Sequence, residues 1–271
     1  MDYKAAVLDM DGTTLRSDYT ISDRTLSVIR KVQLNGAKVI IATGRMYSSV
    51  LPFYRQMGLV TPVIAYNGAR IYSCAGECIY KKELGVPFMR FVIDKLRVDK
   101  LEDNGITPLF FPEDRLAVFS RGSNVREYES RTGEKAELLD PGAIFPNTKI
   151  IFSGLNYDYL QYIKREAEEN FGKEVYLTNS MARYVEMLHP AVSKGNAVRF
   201  VLAREKILPE HTVVIGDNNN DIKMFEPEFL KIAVGNASEQ LKDKADIVAD
   251  SNDRDGVAQV LEKIFLKGAK L

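Results

Sequence analysis

Histidine and cysteine are scarce in this 271-residue chain, with two of each. His189 and His211 stand apart among loop-type residues, which disfavours any mechanism built on a clustered histidine base. Cys74 and Cys78 frame the segment Cys74-Ala75-Gly76-Glu77-Cys78, whereas a structural zinc normally takes four Cys or His ligands, so they read as two thiols of a hairpin. Neither charge is in excess: 37 Lys+Arg offset 37 Asp+Glu. There is accordingly no overall basic field to draw in nucleic acid or acidic membrane. No stretch nears the roughly 20 apolar residues that span a bilayer. Met1-Asp2-Tyr3-Lys4 lacks the basic, apolar and small-residue order of a signal peptide, and a soluble, cytoplasmic protein is expected. Gly-x-Gly-x-x-Gly is absent, and Gly172-Lys173 leads into Glu174 with no upstream glycine at P-loop spacing, which disfavours a nucleotide-binding α/β protein.

What is present describes an ordered globular protein, with 45% hydrophobic and 27% charged residues. Its length suits two domains, each with its own core. Short buried apolar runs alternate with amphipathic stretches, the pattern of parallel strands linked by crossover helices. Strands are predicted at 5–8, 38–42 and 62–66, then at 212–215, 230–234 and 246–248. Ser22 and Gly36 bracket a helix, 46–57 forms another, and 70–73 pairs with 78–81 in a hairpin. From Leu84 the rhythm changes. A helix with Phe88, Phe91, Val92 and Leu96 on one face precedes strands at 107–111 and 116–119, and a helix-strand-helix-strand-strand set runs from Ser123 to Leu188, with strands at 148–152 and 183–187. The predicted fold is α/β: a Rossmann-like parallel-sheet core of residues 1–84 and 189–271, interrupted by an α+β domain of residues 85–188.

Four segments carry groups suited to chemistry. Asp9-Met10-Asp11-Gly12-Thr13 ends the first strand, where open parallel sheets bind ligands. Asp9 and Asp11, two apart on extended chain, project to one side, so one carboxylate can attack while the other handles a proton. A polar turn closing the strand is the plainer alternative. Ala42-Thr43-Gly44-Arg45 places a hydroxyl and backbone N–H groups at a helix start, an oxyanion or phosphate site to which Gly44 admits close approach. Thr43 as a simple helix cap is the competing reading. In Val192-Ser193-Lys194-Gly195 the lysine either holds a phosphoryl oxygen as a point charge or is a solvated residue, poorly placed for the helix dipole. Gly216-Asp217-Asn218-Asn219-Asn220-Asp221 gathers two carboxylates and three amides, a set suited to a hard cation. An EF-hand fails here, because Ile222 stands where that loop needs glycine and the segment follows a strand.

Taken in order, these segments resemble the four motifs of the haloacid dehalogenase superfamily. More narrowly, the chain looks like the Cof-like hydrolases, which carry an α/β cap inserted after the third core strand. Asn67-Gly68-Ala69, Gly235-Asn236-Ala237, Ala245-Asp246-Ile247-Val248 and Asp255-Gly256-Val257 extend the likeness across the chain. The resemblance implies a phosphatase in which Asp9 attacks phosphorus and Asp11 protonates the leaving oxygen, then activates water. It implies Mg2+ held by the Asp9 and Asp217 carboxylates and the Asp11 backbone carbonyl, with Asp221 supporting them from behind. Thr43, the Gly44 backbone, Lys194 and Asn220 would grip the phosphoryl oxygens. The implied substrate is a small phosphate ester, such as a sugar phosphate, flavin mononucleotide or pyridoxal phosphate, with Arg183 a candidate contact. In this superfamily the dehalogenases lack the second acid and the transporting ATPases replace it with threonine, so Asp11 points to ester hydrolysis. Phosphomutases share both aspartates and form the alternative. A non-catalytic ligand-binding module is a third reading, one with no need of Asp9, Asp11, Lys194 and Asp217 together.

Overall fold

The structure, a computed structural model, describes residues 3–179, 181–226 and 228–266. β1 (Ala5–Leu8), β2 (Lys38–Ala42) and β3 (Val63–Ala65) are runs of small and branched apolar residues, buried on both faces apart from Lys38. Each fully buried Val, Ile or Leu side chain contributes about 1.5–3 kcal/mol, so such runs are favoured in the middle of a sheet covered on both sides. Between β1 and β2, α1 (Asp23–Leu34) is capped by Ser22, whose hydroxyl accepts the Thr25 N–H at 3.0 Å. Leu26, Val28, Ile29 and Val32 form its buried stripe. α2 (Tyr47–Met57) begins one residue later than the spacing predicts. Thr43 and Gly44 therefore lie in a bend ahead of the helix, and the capping alternative for Thr43 does not hold. The Thr43 N–H donates to the Ile64 carbonyl and its own carbonyl accepts the Asn67 N–H, both at 2.9 Å, which commits its backbone to the β3 side. β4 (Arg70–Tyr72) and β5 (Cys78–Lys81) make the expected hairpin.

The inserted segment opens with α3 (Val86–Arg90), which runs through a wider helical turn at Phe91–Leu96 into α4 (Val98–Asp103). β6 (Ile106–Phe110), β7 (Leu116–Val118), α5 (Ser123–Thr132), β8 (Ala136–Leu138), β9 (Ile150–Gly154), α6 (Tyr157–Phe171), β10 (Tyr176–Thr178) and β11 (Tyr184–Leu188) follow. The strands form one sheet in the order β10-β11-β9-β6-β7-β8. Phe110, Ile150, Phe152, Val185 and Met187 build a core with Met89, Val92, Leu160 and Ile163. Two expectations shift here. β8 was not predicted, because three residues, two of them exposed, carry no alternation. β9 starts two residues late and ends on Gly154, a residue that sequence patterning treats as a strand breaker. A Cβ at Gly154 would overlap the Gly105 carbonyl, so the close approach of β6 requires glycine.

α7 (Lys194–Arg204) returns the chain to the first sheet, followed by β12 (Thr212–Gly216), β13 (Leu230–Ala233), α8 (Glu239–Lys242), β14 (Ile247–Val248) and α9 (Gly256–Leu261). This sheet has the order β14-β13-β12-β1-β2-β3-β4-β5, parallel from β14 to β3. The chain forms two compact units: residues 1–44, 50–79 and 193–271, and residues 45–49 and 80–192. The α/β class with a parallel core sheet and a second sheet is as expected. No helix among the described residues is long and apolar enough to cross a membrane.

Candidate active site

The site follows from the sheet order. β1 lies at the centre, the chain proceeding to β2 on one side and returning as β12 on the other, a reversal that opens a crevice at the carboxyl ends of the strands. Register pairs Leu8 with Ile41 and with Ile215. Asp9, Thr43 and Asp217 therefore leave neighbouring strand ends. The turn after Asp9 needs Gly12, which sits at φ 73°, and a Cβ there would overlap the Asp217 carboxylate. The turn is fixed from several sides. The Thr14 hydroxyl donates to the Asp9 carbonyl at 2.6 Å, the Thr13 hydroxyl to Asp217 Oδ1 at 3.0 Å, and the Asn236 amide to the Gly12 carbonyl at 2.8 Å.

Lys194 is completely buried and not solvated. Its Nζ donates to Asp9 Oδ1 at 2.5 Å and to Asp221 Oδ1 at 2.7 Å. Ser193 accepts the Asn196 N–H and so caps α7, and the second residue, Gly195, lets the helix sit against the turn at Asn219–Met224, since a Cβ would overlap the Lys223 carbonyl. Asp221 Oδ2 accepts the N–H groups of Asp217 and Asn218 at 2.9 and 3.1 Å. Carboxylate oxygens of Asp9, Asp217 and Asp221 all lie within 4.8 Å of one another.

Three carboxyl groups thus crowd together, two of them buried and bonded to one ammonium and Asp217 partly buried beside them. Burial, and then the charge of Asp221, push the Asp9 carboxyl up to about 7 despite Lys194. Burial with Asp9 and Asp221 nearby holds Asp217 well above the carboxylate range. Burial works against the Lys194 charge, but Asp221 and Asp9 outweigh it and push its pKa up. The cluster sets three carboxyl groups against one ammonium, and its donors are carboxyl oxygens without thiol or imidazole. That set fits a hard divalent cation.

The remaining expected residues form an adjoining group. Thr43 is buried and Gly44 partly so. The Asn220 amide donates to Asn67 Oδ1 at 3.0 Å, and a Cβ at Gly44 would stand 3.0 Å from that same oxygen. Asp11 is half-buried, and its charge contributes to the rise at Asp9. Arg183 donates to Asn124 at 2.9 Å and pairs with Glu127 at 3.5 Å, both in the second unit. Residue-by-residue reading gave no role to Thr13, Asn67 or Asn236. Their signal was available only as short Asn-Gly, Gly-Asn and Gly-Thr steps beside strand ends.

A parallel-sheet core with buried carboxylates and a lysine at its strand ends defines a carboxylate-based α/β enzyme. The model of the haloacid dehalogenase-like hydrolase family matches residues 6–261, and the chain belongs to that family. It is 27% identical over 264 residues to 5-amino-6-(5-phospho-D-ribitylamino)uracil phosphatase of Bacillus subtilis, covering 96% of this chain and 95% of the relative. Pyridoxal phosphate phosphatase of Escherichia coli is 26% identical over 278 residues, covering 96% and 98%. The crystal structure of a Thermotoga maritima protein superposes with a TM-score of 0.80 at 28% identity, covering 96% of this chain and 97% of that one.

Proposed function

We propose that this chain is a magnesium-dependent phosphatase that hydrolyses a small phosphorylated metabolite through an aspartyl-phosphate on Asp9. Its family and its phosphatase-named relatives make it a phosphoric monoester hydrolase. The observation that carries the finer reading is the cluster of Asp9, Asp217 and Asp221, with buried Lys194 bonded to Asp9 and Asp221. Two unit negative charges about 4 Å apart repel by roughly 4 kcal/mol at an effective dielectric of ~20, so a carboxylate does not approach a phosphate dianion unaided. Asp9, Asp217 and the Asp11 backbone carbonyl would hold Mg2+, which when bound neutralises charge on the transferring group. Asp221, with its oxygens engaged by Lys194 and two backbone N–H groups, supports that set from behind.

The chain's own residues perform the chemistry. An Asp9 oxygen attacks phosphorus and the bond to the ester oxygen breaks, while Asp11 gives that oxygen a proton and releases the alcohol. Asp11, now a carboxylate, takes a proton from water. The water oxygen attacks phosphorus, the bond to Asp9 breaks, and inorganic phosphate leaves. Thr43, the Gly44 backbone, Lys194 and Asn220 hold the phosphoryl oxygens and offset charge in the transition state. Residues 85–188 are proposed as the cap that selects the alcohol portion. Pyridoxal phosphate and phosphorylated ribityl compounds, the substrates named for the relatives, set the class to try first. A panel of phosphorylated metabolites assayed for phosphate release should show turnover with magnesium and loss of it with chelator. Chelator-insensitive turnover would contradict the metal-dependent reading.

A further inference from the structure

The loop after β3 passes through three successive left-handed residues, Tyr66 at φ 53°, Asn67 at φ 57° and Gly68 at φ 98°. Among residues with a side chain, asparagine is one of those that tolerate this region best. The conformation places one buried amide, 1% exposed, among three elements. The Asn67 N–H donates to the Thr43 carbonyl at 2.9 Å. Asn67 Oδ1 accepts from the Asn220 amide at 3.0 Å and lies so near Gly44 that a Cβ there would be 3.0 Å away. On the other side Gly68 lies against the Ser193 carbonyl, where a Cβ would stand 2.5 Å from the oxygen. Ser193 caps the helix that opens with Lys194.

We infer that Asn67 is a positioning residue that sets the spacing of the phosphoryl-gripping groups, a role that rests on the phosphatase reading. Asn220 carries two amide N–H donors. Fixing one on Asn67 orients the other. The same oxygen sets how far the Thr43-Gly44 backbone advances, and the neighbouring Gly68 sets the start of α7. Asn67 touches no substrate in this account and acts through Asn220 and Gly44.

Asn67→Gly keeps the left-handed backbone and removes the amide. With p-nitrophenyl phosphate as substrate and inorganic phosphate as competitive inhibitor, the variant should show KM and the phosphate inhibition constant both raised about tenfold, the effect of losing one orienting hydrogen bond. Its kcat should fall much less. Combined with Asn220→Ala it should raise both constants by less than the product of the two single effects, because the two changes share the Asn67–Asn220 hydrogen bond. Asn67→Asp is the second variant: it keeps an acceptor and tolerates the backbone but adds a carboxyl at a buried position, so it should lower the thermal midpoint and raise the phosphate inhibition constant. Unchanged constants in both variants alongside an active wild type, or full additivity with Asn220→Ala, would overturn the inference alone. A wild type that releases no phosphate with magnesium would overturn the phosphatase reading, and this inference with it.

Discussion

Asp9 and Lys194 have opposite effects on the fold and a shared role in the chemistry. Burial, and then the charge of Asp221, disfavour the Asp9 carboxylate in the folded protein, so removing its charge relieves that cost. Asp9→Asn should abolish turnover, by about 10³-fold or more, and yet raise the thermal midpoint of the metal-free protein. Lys194→Met should do the reverse to stability, because the loss leaves buried carboxylates without their counter-ion. Breaking a buried pair in this way costs about 3–5 kcal/mol, read from denaturant unfolding without metal. A destabilised Asp9→Asn or an unaffected Lys194→Met would contradict this account of the cluster. In sequence, Asp9 and Asp217 stood out because each follows an apolar strand. Lys194 did not. A lysine in the first turn of a helix reads as solvated, and only packing of α7 against the 219–224 turn shows otherwise.

At the scale of elements, the site depends on how closely its loops and helix pack. Gly195→Ala would drive a Cβ into the Lys223 backbone carbonyl. Overpacking costs about 1–3 kcal/mol, and because Lys194 is the adjacent residue, activity should fall with stability. An unchanged denaturation midpoint would show that α7 sits less tightly. Behind Asp9, the loop at 15–20 is tied to the chain near α9: Ser17 donates to Asp253 at 2.9 and 2.7 Å, and Arg16 to Asp255 at 2.8 Å. Hydrogen bonds from the Ser17 backbone and hydroxyl hold Asp253 below the usual carboxylate range. Burial pulls Asp255 upward, but Arg16 and Ser22 outweigh it and hold it low as well. A depressed folded-state pKa contributes stability above the unfolded value, about 3.9, that is lost as pH falls through the folded value. The Asp253→Asn/Asp255→Asn double variant should be less stable than wild type at pH 7, with the gap narrowing as pH falls below about 3.9. A gap constant with pH would assign these contacts no electrostatic share. The strands and the 23–34 helix were readable from apolar runs and caps. The three-residue β8 and the glycine-ended β9 were not, because their placement comes from neighbours and not from local pattern.

For the molecule as a whole, four short segments far apart in sequence were expected to meet, and the sheet order brings three of them to neighbouring strand ends with Lys194 bonded to Asp9. That convergence was legible because parallel strands all present their carboxyl ends to one side. The amides that tie the segments together were not, since the Asn67–Asn220 and Asn236–Gly12 hydrogen bonds span 153 and 224 residues. The central claim is that phosphate passes through Asp9. Asp11→Asn separates the two steps with p-nitrophenyl phosphate, whose leaving group departs without a proton, whereas hydrolysis of the aspartyl-phosphate still needs the Asp11 base. Rapid mixing of this variant with substrate and magnesium should give a burst of p-nitrophenolate of about one per enzyme, with the phosphoryl group on Asp9 by peptide mass spectrometry of the acid-quenched protein. A wild type that turns over while the variant shows neither burst nor phosphorylated Asp9 would contradict the account.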